Sequence, residues 1–219
     1  MASFRDIHDT LYTAFGTQNW WPADTPFEVA VGAVLTQNTA WTNVERAIAA
    51  LREADCLAPR AILDTPDEAL AAHIRPAGYF NVKAQRLKAL CRFLLRECPD
   101  GDIAHLAGEP TASLRVRLLA VKGVGEETAD SILLYALGHR IFVVDAYTRR
   151  IFERLGLLES GLSYTAIQTR FQEALPADRA LYNEYHALIV ALGKDYCKPK
   201  PRCGACPLRA SCPAAEVPD

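Results

Sequence analysis

Four cysteines near the C-terminal end set the tightest limit on how this chain can fold. They stand at Cys197, Cys203, Cys206 and Cys212, separated by five, two and five residues. Prolines at 199, 201, 207 and 213 remove backbone donors and fix φ through the same stretch, so regular helix cannot hold it. Four thiolates on short loops can instead surround one metal centre, with proline and glycine turning the chain back. The chain opens MASFRDIHDT, which lacks the charged and then apolar pattern of a secretory leader, so a metal site is expected here and not disulfides. Two centres fit: zinc with four sulfur ligands at about 2.3 Å, and a [4Fe–4S] cluster. Zinc sites more often carry two C-x-x-C knuckles; this segment has one, which favours the cluster. Of the other cysteines, Cys56 and Cys98 are scattered, and Cys91 falls on an apolar stripe and reads as a small buried hydrophobe.

Helix signals fill the rest of the 219 residues, half of them hydrophobic. Thr25-Pro26-Phe27-Glu28 is a capping box with proline at the first helical position. Thr42 with Glu45 repeats the box weakly and Thr65-Pro66-Asp67-Glu68 strongly, and Asn81 is placed to cap a helix striped by Leu87, Leu90, Cys91, Leu94 and Leu95. Further helices are expected near 112–121, 126–137, 146–157, 163–175 and 178–193, about ten in all. Ile141–Val144 is the one strand-like run and is too short to pair on its own. The fold class is therefore all-α. No apolar run is long enough for a membrane span, and a soluble monomer in the cytoplasm, associated with the nucleoid, is the expectation.

Net charge is −2 with a pI near 6.2, which does not by itself point to nucleic acid. The distribution says more. From 75 to 96 come Arg75, Lys83, Arg86, Lys88, Arg92 and Arg96 with no acid, and from 194 to 209 Lys194, Lys198, Lys200, Arg202 and Arg209 stand against Asp195. Each stretch reads either as a solvated face or as a phosphate-binding surface. Between them, Lys122-Gly123-Val124-Gly125 joins two helices. The glycines allow backbone shapes closed to other residues, Val124 can tuck inward, and the turn's free N–H groups can face an anion such as a DNA phosphate. An ordinary helix–helix turn has the same spacing. Asp145 follows Val143-Val144 and opens the next helix, as an N-cap, as a carboxylate that steadies a cationic sugar or orients water, or as both.

Together these residues resemble the endonuclease III family of helix-hairpin-helix DNA glycosylases, from about residue 20 to 212. Gly123-Val124-Gly125 with Thr128 and Ala129 is similar to the family hairpin, and Val143-Val144-Asp145 falls where the family keeps its catalytic aspartate. Gly78-Tyr79-Phe80-Asn81 with Lys83-Ala84 resembles the loop that wedges into the DNA stack, with Tyr79 as the wedge. Thr36-Gln37-Asn38-Thr39 resembles the loop that fills the gap left by a flipped nucleotide, through Gln37 or Asn38. The cysteines are similar to the family's cluster loop, 197–212, with a first gap one residue shorter than usual.

The resemblance implies two helical lobes with a DNA-binding cleft between them. A barrel spans 26–145 with its hairpin near 112–138, and 1–25 joins 146–219 in the cluster lobe. It implies damaged double-stranded DNA as partner, held at Lys122, Gly123, Val124, Gly125, Lys198, Lys200 and Arg202. Lyase-competent members carry lysine two residues after the second glycine; here that residue is Glu127, which implies a monofunctional, water-using enzyme. Trp20-Trp21-Pro22, Leu35–Thr39, Ile74-Arg75-Pro76 and Ser131 look like the 3-methyladenine branch, whose aromatics at the places of Trp20, Trp21 and Trp41 would line a pocket for a cationic alkylated purine. Those tryptophans could equally be core. Three other readings stay open: a glycosylase with AP lyase activity on oxidised pyrimidines, a non-catalytic hairpin protein, and an electron carrier, which would leave the hairpin unexplained.

Overall fold

The computed structural model describes residues 2–215 and is all-α, with no strand among the described residues. Among the described residues there are eleven α-helices: α1 Phe4–Phe15, α2 Pro26–Leu35, α3 Trp41–Glu53, α4 Pro59–Asp64, α5 Asp67–His73, α6 Phe80–Glu97, α7 Thr111–Leu119, α8 Glu126–Ser131, α9 Ala146–Arg154, α10 Tyr164–Ala174 and α11 Arg179–Asp195. The chain divides into two compact units. One is Trp21–His139; the other joins the chain up to Trp20 with the chain from Arg140 onward. No helix among the described residues is long and apolar enough to cross a membrane.

The Trp21–His139 unit is built round α2. Every residue from Phe27 to Leu35 is buried, because the sequence FEVAVGAVL has no polar stripe to turn outward. Helices α3 and α6 pack against it, and α4 and α5 pack against α6. Thr25 caps α2 by accepting from the Glu28 N–H at 3.1 Å, and the Glu28 carboxylate accepts from the Asp24 N–H instead of closing the expected box. Three expected caps are absent. Thr42 lies inside α3; Thr65 turns its hydroxyl back to the Ala61 carbonyl, at 2.7 Å, and closes α4; Asn81 lies inside α6, whose N-cap is Tyr79. The run expected as one helix over 126–137 changes after Ser131 into a π-helical turn, Ile132–Ala136.

The other unit has an aromatic core. Phe142 stacks on Phe171 at 4.1 Å, Phe4 and Phe152 close on Phe171, and the Tyr185 hydroxyl donates to the Phe4 carbonyl at 2.6 Å. The strand-like run at 141–144 is extended and buried but pairs with no strand. Part of its backbone is satisfied by one face of α10. The Tyr164 hydroxyl accepts from the Val144 N–H at 3.2 Å, Gln168 donates to the Phe142 carbonyl at 2.6 Å, and Gln172 accepts from the Phe142 N–H at 3.0 Å. Residues four apart on a helix share a face, so these three side chains form the ladder a neighbouring strand would have provided.

That ladder yields a prediction. Gln168→Leu keeps the volume and removes the donor to Phe142. Leaving a buried carbonyl without its partner costs about 1–3 kcal/mol, so the variant should unfold at lower urea by that amount with its helical circular dichroism intact. An unchanged midpoint would mean that the ladder contributes nothing.

Candidate functional site

The hairpin between α7 and α8 is tight. The Val124 N–H donates to the Val121 carbonyl at 3.0 Å, and Val124 is buried. Gly123 has φ +87°, and a Cβ there would run into the side chain of Arg86 on α6, so glycine is required twice over. Gly125 differs from the expectation: it is extended, at φ −93° and ψ −179°, a shape any residue adopts. A Cβ on Gly125 would meet nothing within 4 Å, so its backbone is simply open to whatever approaches. Lys122 and Glu127 are exposed on either side of the turn. Arg115 of α7 braces α8 through Asp130, Nε to Oδ1 at 2.7 Å and a second bond at 3.1 Å.

Two exposed loops of the same unit carry strained residues. Tyr79 is 73% exposed and left-handed, at φ 46° and ψ 33°, directly after Gly78 at φ +69°. Asn38 is exposed at φ 53°. Its neighbour Gln37 is turned inward: Nε2 donates to Thr128 Oγ1 at 2.9 Å and to the Gly123 carbonyl at 3.2 Å, while Oε1 accepts from Arg86. Gln37 is thus a tie between its loop and the hairpin. The basic run 75–96 is also less of a surface than its charge implies. Lys83 is buried, and Lys88 is buried against Asp67 at 2.5 Å and the Thr65 carbonyl at 2.6 Å.

Trp21 and Trp41 meet edge to face at 5.1 Å, and Tyr135 joins Trp21 at 5.3 Å. Gly32 of α2 makes room for them, since a Cβ there would sit 2.9 Å from the Trp21 ring. Tyr135 was missed by the sequence reading. It sits in the π-helical turn, and regular helical periodicity does not predict where that turn points a side chain. Trp20 is half-buried and belongs to the other unit.

In that other unit Asp145 caps α9. Its Oδ1 accepts from the Thr148 N–H at 2.7 Å and the Thr148 hydroxyl at 2.8 Å, and Thr148 Oγ1 accepts from the Asp145 N–H at 3.4 Å. Oδ2 lies 3.7 Å from Nε2 of His186 on α11, and both side chains are nearly buried. Burial lowers the His186 pKa against the pull of the Asp145 charge, which favours the neutral ring. Oδ1 is thus committed to the cap. Gly193 of α11 lets the first turn of α9 approach closely, because a Cβ there would strike the Tyr147 ring.

Cys197, Cys203, Cys206 and Cys212 all line one small cavity with Arg154 and Tyr196. Arg154 donates to Cys197 Sγ at 3.3 Å and to the carbonyls of Lys198 and Pro199, and Arg150 donates to the Cys197 carbonyl at 2.8 Å. Burial pushes the Cys206 and Cys212 thiols up, so holding them as thiolates calls for added positive charge. Among the described residues no three such groups converge closely enough for a single metal ion. Lys200 and Arg202 are exposed on this loop, and Lys198 is half-buried.

Residues 31–177 match the family model described as HhH-GPD superfamily base excision DNA repair protein. The chain is 47% identical over 206 residues to a Methanocaldococcus jannaschii protein named "Putative DNA repair glycosylase MJ1434", covering 94% of each. A structure of H. pylori 3-methyladenine DNA glycosylase bound to 1,N6-ethenoadenine superposes with a TM-score of 0.78 at 29% identity, over 88% of this chain and 98% of that one. A trapped endonuclease III–DNA covalent intermediate superposes at 0.82 with 24% identity over 98% of each chain, a likeness of fold.

The left-handed Tyr79 gives a prediction. That conformation costs a non-glycine residue about 1–2 kcal/mol, and glycine recovers part of it. Tyr79→Gly should therefore raise the unfolding free energy by about 0.5–1 kcal/mol, read as a higher urea midpoint; a lower midpoint would show that the ring contributes more than the strain costs.

Proposed function

Since the chain belongs to the HhH-GPD superfamily of base excision DNA repair proteins and is a DNA glycosylase, we propose that it releases alkylated purines by attack of water and leaves the strand uncut. The observation that carries this reading is the Trp21–Trp41–Tyr135 cluster. Electron-rich rings attract a cationic alkylated base by about 0.5–2 kcal/mol each, and such a base is already a good leaving group. The likeness to a 3-methyladenine DNA glycosylase supports the same substrate class.

Phosphates are held at the open backbone of Gly125 and by Lys122, Lys198, Lys200 and Arg202, so binding weakens as salt rises. Tyr79 enters the stack as the nucleotide leaves it. Asn38 fills the gap, because Gln37 is engaged within the protein. As the C1′–N bond breaks, the base departs with the bonding pair and the sugar becomes cationic. The Asp145 carboxylate stabilises that cation, steers a water whose oxygen bonds to C1′, and takes the proton that the water gives up. Glu127 offers a carboxylate where a Schiff base needs an amine, so no covalent enzyme–sugar intermediate forms there.

The four cysteines suit a [4Fe–4S] cluster, with Cys197, Cys203, Cys206 and Cys212 as ligands and Arg154 donating to the first. When bound, the cluster would cross-link a proline-rich loop whose own backbone bonds form only short turns, among them Cys203–Ala205 and Arg209–Ser211. Zinc would give a colourless protein; the cluster would give a broad visible absorption band.

The test is excision from duplexes carrying 3-methyladenine, 7-methylguanine, thymine glycol, dihydrouracil, uracil opposite guanine, or an abasic site, with and without hot alkali. Alkylpurine release that becomes a strand break only after alkali is expected; breaks at oxidised pyrimidines without alkali would overturn the reading. Asp145→Asn should lower the single-turnover rate by about 100-fold or more while duplex binding persists. Glu127→Lys should gain a borohydride-trapped DNA adduct that the wild type lacks.

A further inference from the structure

Lys83 lies one turn into α6 and is 1% exposed. Its ammonium donates to the Leu35 carbonyl at 2.8 Å and the Ala77 carbonyl at 2.7 Å. Among the described residues it makes no ion pair. Burial, with the charge of Arg86 adding to it, lowers its pKa to about 8. It is therefore mostly charged at pH 7, in surroundings where an unpaired ammonium is costly. A methionine would fill the space without that cost, so what the lysine adds is its donors.

Both acceptors stand just ahead of a strained, exposed residue. Leu35 is three residues before Asn38, at φ 53°, and Ala77 two before Tyr79, at φ 46°. Left-handed non-glycine residues persist only where their surroundings fix them. Arg86, on the same face of α6, secures the Asn38 loop from its other side by donating to Gln37.

We propose that Lys83 is a positioning residue for nucleotide flipping: one buried ammonium locks the Tyr79 turn and the Asn38 loop at a fixed separation, so that both side chains enter the duplex together. The proposal rests on the reading of Tyr79 and Asn38 given above.

The test uses the full chain with Lys83→Met, which keeps the length and loses the donors, and Lys83→Gln, which is shorter but still donates. The first readout is 2-aminopurine fluorescence in a duplex that carries it opposite an abasic-site analogue. Wild type should raise it, Lys83→Gln should raise it partly, and Lys83→Met and Tyr79→Ala should not. The second readout is excision of a base that the wild type removes. Lys83→Met should lose about 10- to 100-fold when that base is paired, and under about threefold when it lies opposite a gap and flipping costs little. On a Tyr79→Ala background Lys83→Met should add less than about threefold, because the two act through one step. Equal losses on paired and unpaired bases, additive losses with Tyr79→Ala, or unfolding of both Lys83 variants would overturn the proposal and leave Lys83 a residue of stability alone. If the wild type releases none of the tested bases but raises the fluorescence, the proposed substrate fails and the Lys83 comparison is decided by fluorescence. A wild type that leaves the fluorescence unchanged overturns the proposal together with the wedge assignment.

Discussion

Helix α2 has no solvent face, and much of the Trp21–His139 unit follows from that. A helix buried on every side still ends in carbonyls that need donors. Leu35, the last residue of this one, is buried, and Lys83 supplies a donor to its carbonyl at 2.8 Å, while the Gly32 carbonyl takes both the Thr36 N–H at 2.8 Å and the Thr36 hydroxyl at 2.6 Å. Gly32 in the middle of the helix gives up a side chain so that Trp21 can lie against it. The loop leaving α2 is then tied to the hairpin through Gln37. One fully buried helix thus fixes an aromatic cluster, an exposed left-handed asparagine and the turn at Gly123.

Charge in this chain serves structure more than its totals imply. Lys83 donates to two buried carbonyls and Lys88 to that of half-buried Thr65, Arg115 braces Asp130, and Arg150 and Arg154 hold the carbonyls around Cys197. Among the positive groups left exposed, Lys122, Lys200 and Arg202 stand on the hairpin and the cysteine loop, while others, such as Arg46, Arg92 and Arg170, lie on helices.

What the sequence disclosed was mostly local. Thr25 and Asp145 were legible as caps because each side chain bonds a backbone N–H three residues away. The all-α class was legible in the repeated apolar stripes. Thr65 and Asn81 misled because the same polar groups serve other partners once a neighbour arrives: Thr65 closes the helix before it, and the left-handed Tyr79 starts α6 ahead of Asn81. The burial of Lys83 and the inward turn of Gln37 depend on residues 48 and 86 positions away. The extended run at 141–144 looked like an orphan strand because its partners are side chains of a helix, and no period-two pattern marks those.

The second unit is discontinuous, and that bears on the order in which the protein matures at the ribosome. Phe4 packs against Phe152 and Phe171, and the segment leading to Asp145 is held by Tyr164, Gln168 and Gln172. A nascent chain of 150 residues already holds the whole of Trp21–His139, while α1 waits with Ile7 and Leu11 uncovered for partners not yet made. The aspartate is therefore synthesised well before it is placed. One half of the molecule can close during translation, and the half that carries the carboxylate closes only once α10 and α11 have been made.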